Sequence, residues 1–174
     1  RSAVAVAPSG TAAGTIDIYT GLAVVNCGSA AANVTFTLRH WTGATLATGH
    51  ATVAGGAHFA KFINQLKAVA PDFNIPDDFP TVIQFGSLDI TSEQPLSILA
   101  LRLTVNQREE ALLTSTPIAD LTNPLGNTPL YFPQFVDGGG YLTTLILLNT
   151  SDAIETGRLN LFSDTGAPLV VNQV

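Results

Sequence analysis

A chain of 174 residues is long enough to bury a substantial core, as one large sandwich or two small ones, and its composition is apolar with little charge: 46% hydrophobic against 11% charged. Seven Lys and Arg against 13 Asp and Glu give a formal net charge of −6, which argues against nucleic acid as a partner because phosphate binding needs clustered cations. No stretch comes near the roughly 18 uninterrupted apolar residues of a membrane helix, so no membrane insertion is expected, and the single Cys27 excludes an internal disulfide or a thiolate metal cluster.

The N-terminal RSAVAVAPSG places Val4 and Val6 in alternation with Ala, a short strand ended by Pro8 and Gly10. From Ile16, IDIYTGLAVVN reads as strand and turns at Asn26, Gly28 and Ser29. Val34, Phe36 and Leu38 then alternate with Thr35, Thr37 and Arg39, the period of a sheet with one wet face. His40 to Gly43 closes a hairpin, and Leu46 to Val53 returns. Beyond Gly55 and Gly56, the apolar residues Phe59, Phe62, Ile63, Leu66 and Val69 recur at three and four. That spacing predicts a short amphipathic helix over 58–69, stopped by Pro71 and laid over one open end of the sandwich. A Pro-rich acidic loop leads into three strands, VIQFGSLDITS, PLSILALRLTVN and EEALLTSTPI. Residues 119–140, with Pro124, Pro129, Pro133 and the run Gly138 to Gly140, read as a linker in which YFPQFV docks as an edge strand.

The last stretch repeats an earlier one. With Asn149 superposed on Asn26, Leu145 falls on Leu22, Leu161 on Leu38, Thr165-Gly166-Ala167 on Thr42-Gly43-Ala44 and Leu169 on Leu46, without a gap. A repeat this long means two copies of a small β unit rather than a solenoid. The expected fold class is therefore all-β, antiparallel β-sandwich units with one short helix. The expected division is an N-terminal strand segment over 1–15, a first unit over 16–118, a linker and edge strand over 119–140, and a second unit over 141–174. In the sequence as given, the second copy stops where the first goes on to further strands, so its apolar edge is expected to need a partner. The absence of Met from the whole sequence, position 1 included, reads as a processed chain or a fragment. The N-terminal strand is the expected filler, from the same chain or from a neighbour; donation between copies would be heterologous and would grow an open filament unless it closes into a ring. The residues expected at that interface are Val4, Val6, Leu145, Leu147, Leu159, Leu161 and Leu169.

The segments GLAVVNCGSAAANVTFTL, FGSLDITSEQPLSILALRLT and YFPQFVDGGGYLTTLILLNTSDAIETGRLNLFSDTGAPLVV resemble the tandem β-sandwich (Ig-like) modules of large secreted bacterial surface proteins. The resemblance implies a secreted or cell-surface location and structural use in a multidomain protein, and it brings no catalytic residue with it.

Chemistry is sparsely signalled. His40 and His50 flank a hairpin and His58 stands apart, with no carboxylate at a ligand spacing beside them. Asp72, Asn74, Asp77 and Asp78 put four oxygen donors in a Pro-constrained loop, a donor set that suits Ca²⁺, although the Gly and terminal Glu of an EF-hand loop are missing. No GxSxG elbow occurs, and Asp77-Asp78 and Glu109-Glu110 are sequence neighbours that do not converge across a cleft. Gly138 to Gly140 opens no Lys-bearing helix and so is no phosphate cradle. Asn33 and Asn149 head glycosylation sequons. No enzyme, no cofactor and, apart from calcium, no metal is expected. The expected partners are copies of the chain itself, forming a filament or surface layer; the alternative is a polysaccharide-binding or adhesive module, with Trp41, Tyr19 and Tyr141 as its aromatic contacts.

Overall fold

A computed structural model describes residues 2–5, 9–11, 14–79, 85–122, 129–136, 139, 143, 145–151 and 153–170. In chain order the first strands are β1 (Ser2–Ala5), β2 (Ser9–Thr11), β3 (Gly14–Val25), β4 (Ala32–His40), β5 (Thr45–Val53) and β6 (His58–Phe62). They are followed by β7 (Phe85–Ser92), β8 (Ser97–Val105), β9 (Ala111–Thr116), β10 (Leu161–Phe162) and β11 (Pro168–Leu169). One sheet runs β1-β7-β4-β5; the other runs β2-β3-β8-β9, with β6 also on β3. All ladders are antiparallel, and the two sheets pack together as a β-sandwich.

Alternation sets the two inner faces. Val34, Phe36 and Leu38 of β4 are at most 1% exposed and meet Leu22 and Val24 of β3, at 3% and 0%. Phe36 packs edge-on against Phe59 and Phe73, with ring centroids 6.3 and 6.4 Å apart. A Cβ on Gly49 would stand 2.4 Å from the Cβ of Phe73, so glycine is what lets the 71–79 loop press onto β5. His50 donates its backbone N–H to Asp72 Oδ1 at 2.8 Å, and its Nδ1 lies 2.6 Å from Asp72 Oδ2. The loop thereby covers the outer edge of β5, one of the devices that keep an edge strand from recruiting foreign chains.

The helix expected over 58–69 is corrected: residues 58–62 form β6, and only Ile63–Ala68 coil, as a 3₁₀ turn. The cause is tertiary. β3 presents a backbone edge over Gly21 to Val25 that pairs residue for residue with His58 to Phe62, and a ladder with a buried partner outweighs local helix preference. The apolar spacing still operates in the turn, where Ile63 and Leu66 are 2% and 0% exposed. The Gln65 side chain accepts the Phe62 N–H at 3.3 Å and closes its start.

β1 lies on the edge of β7, with Val4 opposite Gly86. The N-terminal strand expected to fill the second unit's edge therefore extends the first unit's own sheet, and Val6 lies outside the described residues. Tyr131 to Val136, expected as an edge strand, carries no strand; it is tied to Thr143, whose Oγ1 accepts the Val136 N–H and donates to the Val136 carbonyl, both at 2.9 Å.

Candidate functional site

The repeat seen in the sequence is reproduced in hydrogen bonds. Asn26 Nδ2 donates to the Ala30 carbonyl at 2.7 Å while its Oδ1 accepts the Gly28 N–H at 3.0 Å. Asn149 Nδ2 donates to the Ala153 carbonyl at 2.7 Å while its Oδ1 accepts the Ser151 N–H at 2.9 Å. An Asn side chain that folds back on its own backbone makes such a turn from local sequence alone. The hairpins match as well. Gly43 donates its N–H to the His40 carbonyl and His40 to that of Ala44; Gly166 donates to Ser163 and Ser163 to Ala167. Gly43 and Gly166 take φ of 91° and 82°, the left-handed region that glycine alone enters without strain. Arg39 opposite Thr45 in the first unit corresponds to Phe162 opposite Pro168 in the second.

Burial does not follow. Leu22 and Val24 are 3% and 0% exposed, whereas their counterparts Leu145 and Leu147 are 37% and 78% exposed. Asn26 is fully buried, and a further bond from its Nδ2 to the Val53 carbonyl at 2.9 Å ties the turn to β5, whereas Asn149 is exposed. Leu38 is closed off; Leu161 is half-buried. The first unit surrounds its Asn turn and hairpin with β6, β7 and β8, but 145–151 forms no strand, and β10 and β11 pair with each other. Of the residues expected at an association surface, Leu161 and Leu169 face each other across that ladder, while Leu145, Leu147 and Leu159 stand exposed. Ile146, Ile154 and Tyr131 are exposed as well.

The first unit has its own open edge. β9 pairs with β8 on one side and, among the described residues, with no strand on the other; Leu112 and Leu113 on it are 53% and 62% exposed.

Two of the four oxygen donors of the 71–79 loop, Asp72 and Asn74, are directed to protein partners. Asp72 binds His50, and Asn74 Oδ1 accepts Lys67 Nζ at 2.7 Å. Among the described residues no group of three or more His, Cys, Asp or Glu gathers as a metal site would require. The bonds from His50, side chain first and backbone second, hold the Asp72 carboxyl below its usual pKa. A carboxylate beside His50 was invisible in the sequence because 22 residues separate the two, and only the folded loop brings them together. Asp120 is likewise lowered by bonds from the Thr122 hydroxyl and N–H.

His40 stacks at 5.1 Å on Trp41, which is 73% exposed at the hairpin tip, and His58 is exposed on β6. Cys27 follows β3 and is exposed, with Sγ 3.8 Å from Ser97 Oγ. Asn33 is exposed and accepts from Thr52 Oγ1 at 3.3 Å, leaving its sequon on the surface. Tyr141 lies outside the described residues. A cleft of about 690 Å³ opens between β3 and the 3₁₀ turn, walled by Tyr19, Asn64, Lys67 and Asn74 over Phe73 and Phe79.

No protein-family model, no curated protein and no solved structure matches the chain.

Proposed function

We propose that the chain is a non-catalytic, extracellular structural protein whose copies associate by β-strand complementation into a filament or surface layer. One observation carries this reading: the same strand-turn-hairpin sequence is sealed in the first unit and open in the second, Leu147 at 78% exposure against Val24 at 0%. Burying a leucine fully stabilises by about 1.5–3 kcal/mol, so the exposed row Leu145, Ile146 and Leu147 has several kcal/mol to gain from a partner strand. β1 is engaged with β7 of its own molecule, so the receiving edge is β9 of a neighbouring copy, which carries no Lys or Pro to repel a strand. The segment 145–148 added to a neighbour's β9 is a heterologous contact, which grows a filament unless its rotation closes into a ring.

Ile146→Pro removes a ladder N–H and leaves the first unit's residues untouched. Electron microscopy and light scattering should then show loss of polymer with the far-UV circular dichroism unchanged. Polymer that persists in this variant overturns the reading. A second reading, a polysaccharide-binding module, draws on the cleft beside Tyr19, whose amides and Lys67 over an aromatic floor suit a sugar. Affinity electrophoresis of Asn64→Ala through gels containing neutral and acidic polysaccharides tests it, and equal mobility of variant and parent in every gel removes it.

A further inference from the structure

The hairpin tip of the first unit departs from its copy at a position the turn does not constrain. The bond of His40 to Ala44 recurs as that of Ser163 to Ala167, yet Trp41 stands where the second unit has Asp164. Trp41 is 73% exposed, so the indole serves neither the turn nor the core. The His40 ring stands 5.1 Å from it. His40 Nδ1 accepts the Thr42 N–H at 3.3 Å and lies 2.7 Å from the Thr42 hydroxyl, which places the ring proton on Nε2, a donor without a partner among the described residues. The tip lies at the same end of the sandwich as the cleft beside Tyr19. His40 is opposite Gly86 on β7, and a Cβ on Gly86 would meet the Phe79 ring of the cleft floor at 3.5 Å. His40 ends the inward alternation of Val34, Phe36 and Leu38, so it shares with Phe79 the layer between the sheets. One residue on, the Cα of Trp41 is within about 10 Å of that of Gly86.

We infer that the polysaccharide site read into this cleft continues past Phe79 onto Trp41, which forms an outer subsite for a neutral chain of equatorially substituted pyranoses, the rings of β-glucans and chitin. The inference rests on that second reading of the function. Such rings carry axial C–H groups on both faces, and those faces pack on the flat side of an indole, where its quadrupole is negative. Their hydroxyls accept from His40 Nε2–H at the edge of the same platform. Charge selects against acidic chains. Asp17 and Asp77 line the cleft, Lys67 is its one ammonium among the described lining residues and is already bound to Asn74, and the chain carries −6 overall. A membrane surface would need an apolar patch, but Thr42, Gly43, Ala44 and Thr45 follow the indole with small and polar residues. The second unit, which has Ser163 and Asp164 in place of His40 and Trp41, keeps the turn and lacks the platform.

Trp41 is the single Trp of the chain, so its fluorescence reports this subsite alone. Titration calorimetry of the full chain with cello- and chito-oligosaccharides from disaccharide to hexasaccharide should show binding that strengthens with length. The hexasaccharide should shift Trp41 emission saturably, and the disaccharide should bind in the cleft with the emission unmoved. Trp41→Ala should weaken the hexasaccharide about fivefold, Trp41→Tyr should restore most of that loss, and Asp164→Ala at the matching tip should change nothing. A hexasaccharide that binds with the emission unmoved and with Trp41→Ala at full affinity overturns the outer subsite while leaving the cleft reading intact. Absence of binding by both series also overturns it, and the electrophoresis of Asn64→Ala then decides the cleft reading separately. An emission shift that phosphatidylcholine vesicles produce and sugars do not assigns the tip to a membrane surface and overturns the inference as well.

Discussion

Residues 22–47 and 145–170 are one sequence pattern in two environments. Both make the Asn turn and the glycine hairpin with the same donors and acceptors, yet Leu22, Val24 and Leu38 are sealed while Leu145 and Leu147 stand open. Short-range hydrogen bonds follow from local sequence and need no neighbours. Strand character and burial come from the ladder and the facing sheet, which the first unit supplies through β6, β7 and β8. The difference between the copies is thus a measure of what tertiary partners add.

The largest test of that measure is the core itself. Phe36→Ala should cost the first unit about 3–5 kcal/mol in denaturant unfolding, since the ring is fully buried between Phe59 and Phe73. A matched pair sharpens it: Leu38→Ala should cost about 2–5 kcal/mol, and Leu161→Ala, its counterpart, less than about 0.5 kcal/mol in isolated chains. Equal losses would mean that the second unit packs as tightly as the first. The Asn turns come next. Asn26→Ala strands the buried Val53 carbonyl and should cost about 1–3 kcal/mol, while Asn149→Ala, on an exposed turn, should stay within about 0.5 kcal/mol.

The smallest effect concerns a tie that the first unit has through its 71–79 loop. The Asp72 carboxyl is lowered by its bonds from His50, so its contribution is complete at neutral pH and is lost only as pH falls through that lowered value. Amide exchange at His50, whose N–H binds Asp72, should accelerate on acidification relative to its β5 neighbours, and Asp72→Asn should flatten that difference. The pair is exposed, so the global unfolding midpoint should move little.

Much of the first unit was legible. Strict alternation over Val34 to Leu38 placed β4, the turn residues placed its hairpin, and the three later strand segments contain β7, β8 and β9. The misreading at 58–62 has a clear cause: Phe59, Phe62, Ile63 and Leu66 fit a helix stripe, but Phe59 faces the core while Phe62 faces out over Gly21, an arrangement set by the open edge of β3.

The sequence by itself determined the β periodicity, the Asn turns and the positive-φ glycine corners, because each depends on residues a few positions apart. Only the tertiary structure decided that β1 closes on β7, that His50 holds Asp72 and that 58–62 becomes a strand. Those outcomes rest on which backbone edges and faces remain open once the rest of the chain is in place, a competition between distant segments that no local pattern records.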